Sequence, residues 1–268
     1  MRAFGNRPFV IGLASAVLFF LYGPILVIMI FSFNDSQYTG LPFNGFTLRW
    51  YFELFQDRQI LGSIWNSVYV GLGVVVLSVL FGLPAAIALD RYSFPGKTAF
   101  RRIVLLPIVL PGIITGVALL SFYLTLNFRL SLHTIMLGQG TALMCITITE
   151  VFARLQQMGK SQTEAAVNLG ANEWEVFRHV TLPGIRSSLF GAMLISFSIS
   201  FDEIAVTFLL TGRENTLPMT LWSLLRREVT PEVNAVATLI VLVSVILIVL
   251  GMYFSRGAQT SVRRNARG

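Results

Sequence analysis

The chain has 268 residues, of which 54% are hydrophobic and only 12% are charged, and its net charge is +7. Soluble domains carry about twice that charged fraction, so this composition argues against a soluble enzyme and favours an integral membrane protein. The single cysteine, Cys145, excludes an internal disulfide and a thiolate metal site.

Six apolar runs are each long enough to cross a ~30 Å hydrocarbon layer as a helix of ~20 residues. They lie near residues 9–31, 64–89, 103–126, 133–152, 189–210 and 235–254. The first run follows basic residues but exceeds the core of a secretion signal, so we predict a retained span. The fourth run is the least apolar, because it contains "GQGT". We therefore predict an all-α integral membrane protein with six transmembrane helices in one domain, residues 1–268.

The basic residues alternate between successive connections. Of the 20 lysines and arginines, the first, third and fifth connections hold only six. The other fourteen lie in the N-terminus, the second and fourth connections and the tail: Arg2, Arg7, Arg91, Lys97, Arg101, Arg102, Arg154, Lys160, Arg178, Arg186, Arg256, Arg263, Arg264 and Arg267. Cytoplasmic connections are enriched in this way, so we expect both termini in the cytoplasm and no nucleic-acid partner.

The first connection, residues 32–63, contains "NGFTLRWYFELF", in which apolar residues recur at helical spacing. This pattern predicts a short helix along the outer interface, with Trp50 at headgroup depth. Later in the chain, Pro84, Pro107 and Pro111 fall within or beside spans and predict kinks there.

Few residues in the chain have the chemistry of an active site. The two histidines, His133 and His179, are far apart in sequence, and no HExxH motif occurs. The segment "RYSFPGKT" ends like a phosphate-binding loop, but arginine occupies the position of its first glycine. We therefore expect no catalytic residue, no bound metal and no cofactor in this chain.

The fourth connection contains a charged stretch, "SQTEAAVNLGANEWEVFRHVTLP", between two apolar runs. Ser161 with Glu164, and Asn172 with Glu175, have the spacing of capping boxes, so the stretch predicts two short helices. Gly170 suits the left-handed residue that ends the first helix. Small residues beside such a turn allow close approach of another surface. The alternative is an amphipathic loop that packs on its own bundle.

At this point the sequence resembles the membrane subunits of ATP-binding-cassette importers, whose cytoplasmic motif is EAA, three residues, G, nine residues, I, one residue, LP. The chain matches it, with valine in place of isoleucine, at Glu164, Ala165, Ala166, Gly170, Val180, Leu182 and Pro183. We name these seven residues the coupling motif and residues 153–187 the coupling loop. The resemblance implies the type I (MetI-like) importer permease fold and a loop that docks on a separate ATPase subunit, which binds ATP and Mg²⁺.

A narrower resemblance, carried by "SFNDS", "GFTLRWY", "SFDEIAVTFLLTG" and "VTPEVNAVAT", is to the second permease subunit of spermidine/putrescine importers. It implies a bacterial inner-membrane complex with a second permease, two ATPase subunits and an external solute-binding protein. Related permeases carry other small solutes, such as ferric iron, opines or amino-acid derivatives. A self-sufficient secondary transporter is a further alternative, but we find neither inverted repeats nor ion-coordinating groups at mid-membrane.

Two carboxylates, Asp202 and Glu203, fall inside the fifth apolar run. A carboxylate within the membrane is costly unless it is paired or faces water, so such residues are usually functional. We expect both on a cation path, with Trp50 and Tyr51 as candidate cation–π partners at its outer mouth. The alternatives are a structural pairing for the acids and interfacial anchoring for Trp50.

Overall fold

The computed structural model describes residues 7–36, 40–227, 231–243 and 245–246. Within these residues the chain is helical and contains no β-strand. The helices are α1 Arg7–Phe31, α2 Arg49–Gln56, α3 Arg58–Arg91, α4 Lys97–Ile103, α5 Leu106–Val109, α6 Gly112–Thr125, α7 Leu132–Met158, α8 Ser161–Asn168, α9 Glu173–Val176, α10 Leu182–Asp202, α11 Ala205–Leu210, α12 Leu217–Arg227 and α13 Pro231–Val243.

Among the residues that the structure describes, four helical stretches are long and apolar enough to cross a membrane: Phe9–Phe31, Arg58–Arg91, Leu132–Met158 and Glu173–Asp202. They correspond to the first, second, fourth and fifth predicted spans. The third predicted span is divided at Pro111, where Leu110 and Pro111 adopt extended ψ angles of 132° and 134° between α5 and α6. The sixth corresponds in part to α13, and its last residues, like Arg2 and the basic tail, lie outside the described residues.

The chain divides into two compact units, and the prediction of a single domain stays a prediction. One unit comprises Met1–Leu61 and Leu221–Gly268. Its helix α1 buries none of its most apolar stretch. The short helix predicted in the first connection is confirmed as α2, which exposes Phe52 and Phe55 and buries Leu54. Its position along the outer interface stays a prediction.

The other unit, Gly62–Thr220, is a helix bundle. In it, α7 packs closely on α3 through glycines: a Cβ at Gly82 would lie 2.9 Å from Cβ of Thr147, and one at Gly140 would lie 2.8 Å from Cδ1 of Leu77. Small residues at such crossings let helix backbones approach each other in a membrane. The described part of this bundle contains apolar clusters around Ile135 and Leu210, around Val151 and Ile185, and around Cys145 and Ala192.

Candidate coupling segment and translocation site

The first half of the charged stretch forms helix α8 and a tight turn. Gly170 has φ +90°, the left-handed conformation predicted for it. Its N–H donates to the Val167 carbonyl at 2.9 Å, and the Ala171 N–H donates to the Ala166 carbonyl at 3.1 Å. Both hydrogen bonds satisfy carbonyl groups at the C-terminus of α8, which is the usual function of a glycine at this position.

The two predicted capping boxes have different outcomes. At Asn172 the prediction is confirmed, since its Oδ1 accepts from the Glu175 N–H at 3.0 Å and Glu175 Oε2 accepts from the Asn172 N–H at 2.8 Å. At Ser161 it is wrong. The N-cap of α8 is Lys160, which makes no side-chain capping bond, and Ser161 is already the first helical residue.

Apolar side chains on this segment are exposed. Leu169 is 88% exposed, Trp174 64% and Val167 55%, whereas Val176 is buried. In the coupling motif, Glu164, Ala165, Gly170 and Pro183 are also exposed. A cluster of exposed apolar residues beside a sharp turn is typical of a surface that binds another protein. The alternative, a loop packed on its own bundle, is not favoured for these side chains.

The second half of the coupling loop continues into the fifth span without interruption. A π-helical turn, Phe177–Thr181, joins α9 to α10, so that Glu173–Asp202 forms one helical stretch of 30 residues. Pro183, which has no N–H to donate, is the second residue of α10 and follows the π turn closely. The first residues of the predicted coupling loop, 153–187, belong to the end of α7, which extends to Met158, and its last residues belong to α10. That these residues form a cytoplasmic connection stays a prediction.

Two arginine side chains bind this helical stretch to neighbouring helices near the beginning of α10. Arg91, at the end of α3, donates from Nη2 to Thr181 Oγ1 at 2.7 Å. Arg154, on α7, donates from Nε to the Gly184 carbonyl at 3.0 Å. These two hydrogen bonds link the residues beside Leu182 and Pro183 of the coupling motif to α3 and α7.

We expected the fifth predicted span to be one continuous helix, but the structure breaks it beside its two carboxylates. Helix α10 ends at Asp202, Glu203 is extended with φ −75° and ψ 117°, and α11 begins at Ala205. Glu203 Oε1 accepts from the Val206 N–H at 3.0 Å, so this side chain caps the second segment. The break therefore separates Asp202, the last residue of α10, from Glu203, which belongs to neither helix.

A cavity of about 310 Å³ lies between the two interrupted spans. Glu203 lines it from the break in the fifth span, and Pro107, Leu110 and Gly112 line it from the break in the third. Most of the remaining wall is apolar, with Thr115 and Gln139 as the other polar side chains. An apolar cavity with one carboxylate suits a slender apolar chain that ends in a cation.

Gln139 is a polar residue of this site that the sequence reasoning missed. It is 3% exposed, accepts from Ser200 Oγ at 2.5 Å and donates from Nε2 to Thr207 Oγ1 at 2.8 Å. The only sequence signal was the polar "GQGT" within the fourth apolar run. A polar side chain inside a membrane helix normally has a hydrogen-bonding partner on a neighbouring helix, so Gln139 was a candidate on these grounds.

The other predicted path residues lie elsewhere. Asp202 is exposed and does not line the cavity. Trp50 is 7% exposed, donates from Nε1 to the Asn34 carbonyl at 2.9 Å, and has the Arg49 guanidinium 4.3 Å from its ring centroid. A hydrogen bond within the first connection therefore holds the Trp50 side chain against this chain, and its position at headgroup depth stays a prediction.

Tyr51 is hydrogen-bonded within the same connection. Its hydroxyl lies 2.7 Å from Ser32 Oγ, and its ring centroid lies 5.3 Å from that of Phe33. These contacts give Tyr51 a structural role in the loop. A role in the cation path stays a prediction for both aromatic residues.

The chain is similar to known transport proteins over most of its length. Residues 78–264 match the family described as "Binding-protein-dependent transport system inner membrane component". The spermidine/putrescine transport system permease protein PotC of Haemophilus influenzae is 32% identical over 238 residues, 88% of this chain and 92% of that protein. The putrescine transport system permease protein PotI of Escherichia coli K12 is 32% identical over 82% of this chain and 81% of its own length.

A solved structure shares the fold. It is a bacterial ABC transporter involved in the import of the acidic polysaccharide alginate, and one of its chains aligns with a TM-score of 0.68. The alignment covers 96% of this chain and 98% of that chain at 18% sequence identity. At that identity the likeness supports the predicted type I importer fold and says nothing about the solute.

Proposed function

Because this chain belongs to the family of inner membrane components of binding-protein-dependent transport systems, we propose that it is a permease subunit that imports linear polyamines at the cost of ATP. Two relatives with 32% identity have names that include spermidine or putrescine, which supports this solute class. Polyamines are slender aliphatic chains with several positive charges. The cavity with one carboxylate and mostly apolar walls has the complementary chemistry.

The partners are proposals as well. The exposed apolar residues around Gly170 support docking on an ATPase subunit, which would bind ATP and Mg²⁺ while this chain binds no cofactor. A complete importer would contain two such ATPases, a second permease and an external solute-binding protein. The distribution of lysines and arginines supports N- and C-termini in the cytoplasm, on the same side as the coupling loop.

One observation carries the proposal: a single helical stretch runs from the turn at Gly170, which we name the docking turn, to the break at Glu203. Glu173–Asp202 contains 30 residues, which at 1.5 Å each span about 45 Å. A push on the turn at Gly170 therefore reaches Glu203 through a stiff element. Closure of the ATPases would draw the coupling segments of both permeases together and open the outer side, where the binding protein releases its solute.

The whole complex, reconstituted in liposomes with its binding protein, tests this function. We expect uptake of radiolabelled spermidine or putrescine that requires internal ATP and the binding protein. Liposomes that contain this chain alone should accumulate nothing. Accumulation by the chain alone would contradict the importer assignment, and ATP-driven uptake of an opine or a ferric chelate in place of the amines would contradict the solute.

A further inference from the structure

Gln139 connects the two segments of the broken fifth span. Ser200, which donates to its carboxamide oxygen, lies in the last turn of α10. Thr207, which accepts from its Nε2, lies in α11. One carboxamide on α7 thus holds both sides of the break, and all three side chains are buried.

A break in a membrane helix needs such a brace, because it removes backbone hydrogen bonds that hold a continuous helix straight. At this break the hydrogen bond from the Glu203 N–H to the Ser200 carbonyl is long, with an N–O distance of 3.4 Å. A carboxamide offers a donor and an acceptor at fixed separation, whereas an ionised carboxylate cannot donate and an apolar side chain does neither. Glutamine therefore suits this position for a chemical reason.

The brace also determines where Glu203 lies. Its backbone is part of the break, and its Oε1 bonds to the Val206 N–H, so its direction follows the angle between the two segments. The same oxygen lies 3.4 Å from the position that a Cβ on Gly112 would occupy, on the opposite wall of the cavity. A change in that angle would move the carboxylate along the cavity.

We propose that Gln139 is a positioning residue for cation transport: it braces α10 against α11 and thereby holds the Glu203 carboxylate in the cavity. The inference rests on the proposed function, since it assigns Gln139 to the step in which a protonated amine passes Glu203. It goes beyond the coupling motif and the acidic pair, because Gln139 acts through Glu203 and need not touch the solute.

A double-mutant cycle in the reconstituted complex tests the transport side. Gln139→Met keeps the length of the side chain and removes both hydrogen bonds. It should raise KM for spermidine about tenfold, since two buried hydrogen bonds are lost. In a Glu203→Gln background the same change should add little, because the carboxylate it positions is gone. Full additivity of the two effects would overturn the proposal.

Thr147→Val is the matched control for this cycle. Thr147 lies on the same helix as Gln139, and its buried hydroxyl lies 2.6 Å from Ser78 Oγ on α3, away from the break. Its loss removes an interhelical hydrogen bond without touching α10 or α11. The control should keep KM near the wild-type value, and a rise as large as that of Gln139→Met would reduce Gln139 to an ordinary packing residue.

A distance measurement tests the brace without any transport assay. Spin labels on Leu194→Cys and Phe208→Cys, both exposed positions, report the geometry of α10 against α11 once Cys145→Ala removes the native thiol. In the assembled complex, Gln139→Met should broaden or shift the distance distribution, and Thr147→Val should not. An unchanged distribution would overturn the brace. If the wild-type complex takes up no polyamine, the proposed function fails while this measurement still decides the brace.

Discussion

Replacement of Gly170 by valine tests the docking turn directly. Gly170 has φ +90°, and a Cβ there would meet no heavy atom within 4 Å. The Cβ of a substituted residue therefore meets open space, and we expect the effect of valine to come mainly from backbone strain. A non-glycine residue in the left-handed region costs about 1–3 kcal/mol, and a β-branched residue lies at the upper end of that range.

The size of this strain predicts a local effect. Folded domains are stable by about 5–15 kcal/mol, so a cost of ~2 kcal/mol does not unfold the bundle. At the turn itself, the same cost disfavours the native conformation by about thirtyfold. Any relaxed conformation gives up the Gly170–Val167 and Ala171–Ala166 hydrogen bonds that orient α8 against α9. The docking surface therefore changes shape while the membrane helices stay folded.

The assay compares uptake with ATP hydrolysis in the same reconstituted complex. We expect Gly170→Val to lower the number of solute molecules imported per ATP several-fold, with Gly170→Ala intermediate and Gly170→Asn mildest, since asparagine tolerates the left-handed region. Gly96→Val is the matched control, because Gly96 has φ +85° and equally open surroundings but lies before α4, outside the coupling loop. Unchanged transport per ATP in Gly170→Val, or an equal loss in Gly96→Val, would refute the reasoning.

Three other substitutions have distinct expected outcomes. Glu203→Gln should raise KM for a polyamine about tenfold, because it removes an attraction of about 1–4 kcal/mol between the carboxylate and a cation in contact with it. Asp202→Asn should have a smaller effect on uptake, because Asp202 does not line the cavity. Trp50→Phe should lower the free energy of unfolding of the detergent-solubilised complex by about 1 kcal/mol through loss of its indole hydrogen bond, with KM unchanged. A change in KM without a loss of stability would instead support a role of Trp50 in the cation path. Arg91→Ala should lower uptake per ATP without affecting assembly, because it frees Thr181 from α3, and wild-type coupling would contradict that link.

Local sequence patterns predicted the conformation of the docking turn well. Gly170 and the Asn172–Glu175 capping box depend on residues within a few positions of each other, and the structure has both. The Ser161 capping box failed although its spacing is equally good. The helix begins at Ser161 itself, one residue earlier than a Ser161 cap requires, so Lys160 is the N-cap and the serine cannot act as one. Boundaries of helices are the feature that spacing alone determines least well.

The break in the fifth span could not be read from its own residues. No proline or glycine marks "SFDEIAV", and a continuous helix is the natural expectation for that run. The break at Pro111 had a local signal in its proline, but the one after Asp202 depends on Gln139, more than sixty residues away. The burial of Trp50 has the same kind of cause, since its hydrogen-bond partner, the Asn34 carbonyl, lies sixteen residues earlier.

The position of the break relative to the docking turn suits the proposed mechanism. If α10 continued unbroken past Asp202, a push at the docking turn would move the whole span as one rod, and the carboxylate would keep a fixed direction on it. With a break after Asp202, movement of α10 relative to α11 changes the backbone angles at Glu203 itself. The Gln139 carboxamide sets the resting value of that angle. The force from ATP hydrolysis would then act directly on the group that attracts the cation.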